Sequence, residues 1–181
     1  RNTCKEGNLS KIFFDIFETS WGWVGAVGSD QGIMRASLPE QTPHQAILAL
    51  NPEISTAEER PGAFTYLQRQ IEEYLNGERT EWDVKLDLSS STDFFQRAWS
   101  ACRSIPRGET RTYKWLAAMA GKPNAPRAAG QAMARNRVPL IIPCHRVLGS
   151  DGTLHGFGGG VGLPLKARLL ELEKAVIKPV N

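Results

Sequence analysis

Three short runs rich in β-branched and aromatic residues stand near the start of the chain, at positions 11–17, 21–27 and 33–36. Turn-forming residues separate these runs, among them Gly28 and Gly32. Short apolar runs bounded by Gly, Ser and Asp are typical of β-strands. Because the connections are brief, the pattern predicts an antiparallel meander.

A longer period follows in the rest of the first half. Between residues 64 and 75 the apolar side chains recur every three or four positions, and Gly77 follows as a stop signal; the stripe consists of Phe64, Leu67, Ile71, Tyr74 and Leu75. This spacing predicts an amphipathic helix. Val84, Leu86 and Leu88 alternate with charged residues, which predicts one more strand. The first half is therefore expected to be a small α/β unit.

The second half is dominated by helical patterns. Thr92 can cap a helix that continues to Cys102, and further helices are predicted at residues 112–120, 125–135 and about 165–176. The polar stretch at 89–92 is well suited to a linker. We therefore expect two domains, an α/β scaffold domain at residues 1–90 and a mostly helical domain at residues 91–181.

Charge is distributed unevenly between these halves. Residues 1–91 hold 8 Lys and Arg against 14 Asp and Glu, a formal balance of −6. Residues 92–181 hold 14 against 5, a balance of +9. A basic half beside an acidic half indicates contact with a polyanion, although a solvated basic surface is the alternative.

Composition and cysteine content narrow the class of protein. Hydrophobic residues make up 41% and charged residues 23% of the 181 positions, which is ordinary for a soluble globular protein. No apolar run approaches the roughly 20 residues that span a bilayer, and no signal-peptide layout is present, so no membrane partner is expected. Cys4, Cys102 and Cys144 are odd in number and far apart. We expect free thiols in the cytoplasm, or in the nucleus of a eukaryote.

A possible helix-turn-helix surrounds the turn that contains Gly121 and Pro123. Its second helix carries mostly small residues, which suit either tight helix packing or close approach to the minor groove of DNA: Ala128, Ala129, Gly130, Ala132 and Ala134. The cations nearby favour DNA: Lys114, Lys122, Arg127, Arg135 and Arg137. Side chains that read base edges in pairs are scarce, so we expect contact with the DNA backbone without sequence specificity.

The candidate chemistry centres on Cys144, which lies between an Ile-Ile-Pro segment and His145. A neighbouring imidazole can share or remove the thiol proton, so we expect a lowered thiol pKa. A metal is not indicated, because this Cys-His pair has no second pair at a suitable distance. A structural cysteine is the alternative that these residues alone leave open.

The segment Pro-Cys-His-Arg-Val at 143–147 resembles the active-site signature of the O6-alkylguanine-DNA alkyltransferases, also called methylated-DNA–protein-cysteine methyltransferases. The likeness extends over nearly all of residues 92–174. It includes Ile-Pro-Arg-Gly-Glu at 105–109, Gly-Lys-Pro at 121–123 and Gly-Phe-Gly-Gly at 156–159. The first half resembles the family only loosely.

This resemblance implies a ribonuclease H-like first domain and a winged helix-turn-helix-like motif in the second. It implies irreversible transfer of an alkyl group from O6-alkylguanine, and from O4-alkylthymine, to the protein itself, with no cofactor and no metal. Cys144 would be the acceptor, and His145 would act as a base through a water molecule. Glu173 would orient His145, and Asn136 would hold the segment before the cysteine.

The resemblance also implies how DNA is held. Tyr113 would press on a phosphate and donate to the guanine, and Arg127 would replace the base that is rotated out of the stack. Further DNA contacts would come from Lys114, Lys122, Ala128 and Ser150. The substrate pocket would be lined by Tyr113, Pro139, Val147, Phe157, Gly158 and Gly159. The expected partner is double-stranded DNA, bound by a monomer through the minor groove.

Three features depart from the family pattern. Gly158 stands where many relatives have Ser, and Phe157 replaces the commoner Tyr. Val161 and Gly162 form an insertion that many relatives lack, so we expect a longer loop and an altered tolerance of bulky alkyl groups. A structural zinc, which some relatives bind, has no evident ligand set in this sequence.

Two other functions compete with alkyl transfer. A Cys-His hydrolase would turn over acyl substrates, but Cys144 and His145 are adjacent, so the imidazole is not obviously placed to pair directly with the thiol. A non-catalytic alkyltransferase-like protein would bind alkylated DNA and flag it for other repair. Relatives of that kind lack the reactive cysteine, which this chain has.

Overall fold

The structure is a computed structural model that describes residues 10–155 and 162–175. The first half forms a four-stranded sheet of β1 (Phe13–Thr19), β2 (Gly22–Ser29), β3 (Gly32–Ala36) and β4 (Glu58–Glu59). The strand order is β3-β2-β1-β4. Neighbouring strands are antiparallel except β4, which runs parallel to β1. The predicted meander is confirmed.

Two helices accompany this sheet, α1 (Pro43–Leu48) and α2 (Thr65–Leu75). Thr42 and Gln45 cap α1 reciprocally, each side chain accepting from the other residue's backbone N–H. Gly25 lets α1 approach β2, because a Cβ there would lie 3.0 Å from the carbonyl oxygen of Ala46. Helix α2 lies where the stripe predicts it, and the sequence interpretation missed α1.

The predicted strand at Val84, Leu86 and Leu88 is wrong. Only Leu86 forms a bridge, to Ile33, with backbone hydrogen bonds of 2.8 and 2.9 Å on either side. Backbone hydrogen bonds join this segment to β3 at Ile33 only. The alternating side chains pack partly buried against the core, which explains the pattern without a strand.

The second half is mostly helical, as expected, with a short parallel pair of strands, β5 (Arg111–Thr112) and β6 (Val147–Leu148). Thr92 and Thr112 cap the helices that follow them through their hydroxyl groups, at 3.3 and 3.0 Å. The final helix begins at Gly162 and ends at Leu172, earlier than predicted; position 176 lies outside the described residues. The helices are α3 (Asp93–Arg103), α4 (Tyr113–Met119), α5 (Pro126–Ala134) and α6 (Gly162–Leu172).

One buried core joins the two halves of the chain. Trp99 is 1% exposed and donates its indole N–H to the carbonyl oxygen of Ala132 at 2.8 Å, which fixes α3 against α5. The backbone N–H of Ala36 at the end of β3 donates to the Arg137 carbonyl at 2.9 Å. In the described ranges, no helix has the length and apolar character needed to cross a membrane.

Candidate active site

Cys144 opens a single 3-10 turn, Cys144–Arg146, that leads into β6. Its side chain is 5% exposed, and its backbone N–H donates to the carbonyl of Ile142 at 2.8 Å. Burial raises the pKa of the Cys144 thiol, and the Asn136 amide and the Lys166 charge oppose that rise without cancelling it. The lowered thiol pKa expected from the sequence is therefore wrong, because desolvation outweighs the polar neighbours. The resting group is a thiol that needs a base.

His145 is fully buried and is held through one ring nitrogen. Its Nε2 lies 2.8 Å from Oε1 of Glu173. Burial lowers the pKa of His145 more than Glu173 raises it, so the ring is neutral near pH 7. A carboxylate only accepts hydrogen bonds, so Nε2 carries the proton and Nδ1 keeps a lone pair. That Nδ1 is buried and has no hydrogen-bond partner among the described residues.

The Glu173 carboxylate lies at the centre of a buried network. Arg146 donates to Oε2 at 2.9 Å and to Oε1 at 2.7 Å, and also to the carbonyl of Ile105 at 2.6 Å. The hydroxyl of Tyr74 donates to Oε1 at 2.6 Å. Burial alone would raise the pKa of Glu173, but the hydrogen bonds from His145 and Arg146, with the Arg146 charge, hold it well below its usual range. Glu173 is thus an anion that fixes the imidazole.

Tyr74 was missed as a site residue. In the sequence it is one member of the apolar stripe of α2, and nothing local distinguishes it from the leucines beside it. Its place in the network depends on a contact 99 residues away along the chain, which sequence spacing does not reveal.

Asn136 braces the turn that precedes the cysteine. Its amide donates to the Ile142 carbonyl at 2.8 Å, and its side-chain oxygen accepts from the Val138 N–H at 3.0 Å. Between them, Leu140 has φ of 72°, a left-handed conformation that is costly for a branched side chain. Two side-chain hydrogen bonds across the turn offset that cost and define the approach to Cys144.

Tyr113, the first residue of α4, is half-buried and faces the segment after β6. Its hydroxyl donates to the carbonyl of His155 at 3.4 Å. Burial, with smaller contributions from Cys144 and Cys102, raises the pKa of Tyr113 to about 12. Gly130 of α5 lies against its ring, where an added Cβ would be 3.9 Å from Cδ1. Tyr113 is therefore a protonated donor near the thiol.

The expected DNA contacts divide into two groups. Arg127, Lys114 and Ser150 are exposed, and Ala128 beside Arg127 is half-buried. Other cations that the sequence assigned to DNA have partners within the protein. Lys122 and Arg135 lie over the rings of Phe94 and Phe95, at 4.8 and 6.0 Å, and Arg137 pairs with Glu53 and Ser90.

The small residues of α5 are buried at some positions and exposed at others. Ala129 and Ala132 are fully buried, so the packing interpretation holds for them, while Ala134 is exposed. The helix therefore uses small residues for packing on one face and leaves Arg127 in solvent on another.

Only part of the expected substrate pocket can be located. Val147 is buried and Pro139 half-buried. Phe157, Gly158, Gly159 and position 161 of the insertion lie outside the described residues, whereas Gly162 is the first residue of α6. A cavity of about 570 Å³ opens beside Pro143 and Arg146, but neither Cys144 nor Tyr113 lines it.

Lys166 is a second residue whose role the sequence did not reveal. It is fully buried, and its ammonium donates to the carbonyls of Val147 and His155 at 2.7 and 3.0 Å. Burial lowers the pKa of Lys166 to about 8, and the nearby thiols Cys144 and Cys102 act in the opposite direction. This ammonium ties α6 to the segments on either side of the active-site turn.

No metal site is evident in the described part of the chain. No group of three His, Cys, Asp or Glu side chains is close enough there to hold an ion. Cys102 and Cys144 are both free thiols. Cys4 lies outside the described residues.

A buried thiol, a neutral imidazole held by a carboxylate and a helix-turn-helix with an exposed arginine thus occur together. A family model described as "6-O-methylguanine DNA methyltransferase, DNA binding domain" matches residues 93–175. Among curated proteins, the methylated-DNA–protein-cysteine methyltransferase of Mycobacterium tuberculosis is 50% identical over 115 residues, covering 64% of this chain and 68% of that protein. The enzyme of the same name from Methanosarcina barkeri is 39% identical over 163 residues, covering 90% of this chain and 98% of that protein.

Solved structures of proteins with similar names also match this chain. The crystal structure of the Mycobacterium tuberculosis O6-methylguanine methyltransferase matches with a TM-score of 0.77 and 39% identity, covering 90% of this chain and 93% of that one. The structure of Mycobacterium tuberculosis OGT in complex with DNA matches with a TM-score of 0.77 and 38% identity, covering 93% and 96%. The chain belongs to the methylated-DNA–protein-cysteine methyltransferase family.

Proposed function

We propose that this protein repairs DNA by taking the alkyl group, typically methyl, from O6 of guanine onto the sulfur of Cys144. The observation that carries the proposal is the pairing of a buried, protonated thiol with a neutral His145 whose Nδ1 has no partner among the described residues. The names of its relatives support the same reaction, and the DNA complex of one of them supports DNA as the partner.

The first step activates the thiol. The proton leaves Sγ and reaches Nδ1 of His145 through a water molecule, while Nε2 keeps its own proton against Glu173. The sulfur electron pair then forms a bond to the alkyl carbon, and the bond from that carbon to O6 breaks. Glu173 stabilises the imidazolium that forms, because it lies 2.8 Å from the ring nitrogen and is an anion.

The second requirement concerns the leaving guanine, which departs as an anion unless it receives a proton. Tyr113 is suited to stabilise this anion, because its raised pKa keeps the proton on the hydroxyl, which can donate a hydrogen bond to the guanine. The hydroxyl has a long hydrogen bond of 3.4 Å to the His155 carbonyl, which a guanine atom can replace at little cost.

The product explains why the reaction stops. A thioether on Cys144 is chemically inert to hydrolysis, so the alkyl group stays on the sulfur. Each molecule therefore acts once, and repair is stoichiometric and irreversible. O4-alkylthymine is a second substrate on the same chemistry, since it also places an alkyl carbon on an exocyclic oxygen.

The thiol lies inside the protein, so the damaged nucleotide has to leave the duplex. Unstacking costs a few kcal/mol, which is affordable for a damaged base. Arg127 is exposed on α5 and is suited to take the place of the extruded base. The α5 surface enters the minor groove, with Ala128, Lys114, Lys122 and Ser150 as further contacts. Binding is independent of sequence and is made by a monomer to double-stranded DNA.

We further propose that the chain divides into domains near residue 90, the first supporting the second. The pocket would consist of Tyr113, Pro139 and Val147 together with Phe157, Gly158 and Gly159. Asn136 would keep the turn before Cys144 in the conformation that presents the thiol.

A turnover experiment tests the function. The protein is mixed with an excess of a duplex that carries one O6-methylguanine, and repaired oligonucleotide is measured over time. The proposal predicts that repair stops when product equals protein, and that Cys144→Ala yields none. Continued turnover would contradict permanent transfer to Cys144. Tight binding with no repair would indicate the non-catalytic damage-binding alternative.

A further inference from the structure

Tyr74 belongs to α2, in the first half of the chain, yet its hydroxyl reaches the active-site network. It is 1% exposed and donates to Oε1 of Glu173 at 2.6 Å, and its oxygen lies 3.5 Å from Nε2 of His145. Its ring is held by Trp82, with centroids 5.2 Å apart, and by the guanidinium of Arg107 at 5.4 Å. These contacts hold the ring in place, so the hydroxyl stays directed towards Glu173.

Three donors share the one oxygen, Oε1 of Glu173. They are the Tyr74 hydroxyl, Nε2 of His145 and one guanidinium nitrogen of Arg146. One carboxylate oxygen has about two lone-pair sites, so three donors on Oε1 compete and each weakens the bonds of the others. Burial, the Glu173 charge and the hydrogen bond to it raise the pKa of Tyr74 far beyond the physiological range, so Tyr74 is always a donor.

Other charged groups around this network are already accounted for. Arg146 faces Glu173 and His145 from the active-site turn, and Arg107 faces Tyr74 from the segment after α3. Lys166 of α6 acts on His145 as a second positive charge. Tyr74 carries no charge, so replacing its hydroxyl changes a hydrogen bond and leaves the charges as they are.

We infer that Tyr74 is a positioning residue for alkyl transfer, which sets the proton affinity of His145 by sharing Oε1 of Glu173. The inference rests on the proposed function, in which His145 must be neutral to accept the thiol proton. It gives the first half of the chain a chemical part in the reaction beyond mechanical support.

The direction of the effect follows from the competition. Without the Tyr74 hydroxyl, Oε1 accepts more strongly from His145 and stabilises the imidazolium. The pKa of His145 then rises, and the rate begins to fall at a higher pH as the solution is acidified. A net hydrogen bond of ordinary strength corresponds to a shift of roughly half to one pH unit.

The test compares Tyr74→Phe with wild type and with Tyr66→Phe. Tyr66 lies on the same helix, is 40% exposed and takes no part in the network, so it is a matched control. Methyl gain is followed by quenched intact-mass measurement with protein in excess over O6-methylguanine duplex, from pH 5 to pH 8. The inference predicts that the acid midpoint moves up in Tyr74→Phe only. A lower plateau with an unmoved midpoint would indicate a structural role and overturn it.

Two further measurements keep the inference separate from folding and from the proposed function. Site-specific 3-fluorotyrosine at position 74 retains the ring and is a stronger donor, so the acid midpoint should move down; an unmoved midpoint counts against the inference.

NMR titration of the three histidines measures the pKa of His145 without any reaction. If wild type gains no methyl, the proposed function fails. The His145 pKa must still be higher in Tyr74→Phe, and equal values overturn the inference.

Discussion

Replacing Glu173 by glutamine tests whether the buried network holds the active site together. Glu173 is 5% exposed and accepts four hydrogen bonds from three side chains. A glutamine has one acceptor oxygen, and its amide group would direct a donor towards a donor of Arg146. Arg146 is itself 6% exposed, so Glu173→Gln leaves a buried cation without its anion.

The size of the effect can be worked out from this geometry. Removing one partner of a buried ion pair costs about 3–5 kcal/mol, and the lower end applies because glutamine keeps some acceptor capacity. The unfolding entropy of a chain of 181 residues is about 0.38 kcal/mol/K, at roughly 2.1 cal/mol/K per residue. A loss of about 3 kcal/mol therefore lowers Tm by about 8 °C.

The assay is thermal and urea unfolding, followed by tryptophan fluorescence at pH 7.5. Glu171→Gln is the matched control, because Glu171 lies two residues earlier, in the last turn of α6, and is exposed. Its expected change is within about 0.5 kcal/mol. If Glu173→Gln unfolds at the same temperature and urea concentration as Glu171→Gln, then the network does not stabilise the protein and the reasoning is refuted.

Changes at Asn136, at Arg127 and in pH perturb other parts of the site. Asn136→Ala should lower the free energy of unfolding by about 2 kcal/mol in urea titration, since two hydrogen bonds of the strained turn are lost; an unchanged midpoint would contradict its bracing role. Arg127→Ala should slow methyl transfer roughly tenfold, if its insertion offsets about 1.4 kcal/mol of the unstacking cost, with no change in Tm; an unchanged single-turnover rate would count against insertion. Acidification should destabilise the protein in two stages. The folded pKa values of His145 and Glu173 are both lowered, so the unfolded chain binds protons first, and stability is lost below about pH 6.5 for His145 and below about pH 4.3 for Glu173. Urea midpoints that stay constant from pH 7 to pH 4 would contradict this.

The parts of the fold that sequence predicted well depend on local signals. Thr92 and Thr112 cap the helices that follow them, as their positions before apolar runs indicate. Helix α1 has an equally local signal, the capping pair Thr42 and Gln45 with Pro43 between them, and could have been predicted. The alternation around Leu86 misled, because a half-buried segment beside a sheet edge has the same period as a strand.

The parts of the site that sequence did not predict depend on burial and long-range contact. The pKa of Cys144 is raised because burial desolvates the thiol, and the Cys-His dipeptide alone does not reveal that burial. Tyr74 and Lys166 look like a core aromatic and a surface cation until the fold brings them to Glu173 and to Val147. In the sequence, Cys144 and His145 are adjacent, which gives the imidazole no evident way to pair directly with the thiol. In the structure, Glu173 holds His145 Nε2, so Nδ1 is the ring nitrogen that remains to accept a proton from the thiol.

The most direct measurement of the central claim is the location of the transferred methyl group. After incubation with O6-methylguanine duplex, trypsin should release residues 138–146 as a peptide whose one thiol is Cys144. The peptides that contain Cys4 and Cys102 are internal controls. Only the Cys144 peptide should gain the mass of one CH₂ group, in an amount equal to the guanine repaired. Repair without that gain, or a gain on another cysteine, would contradict this claim.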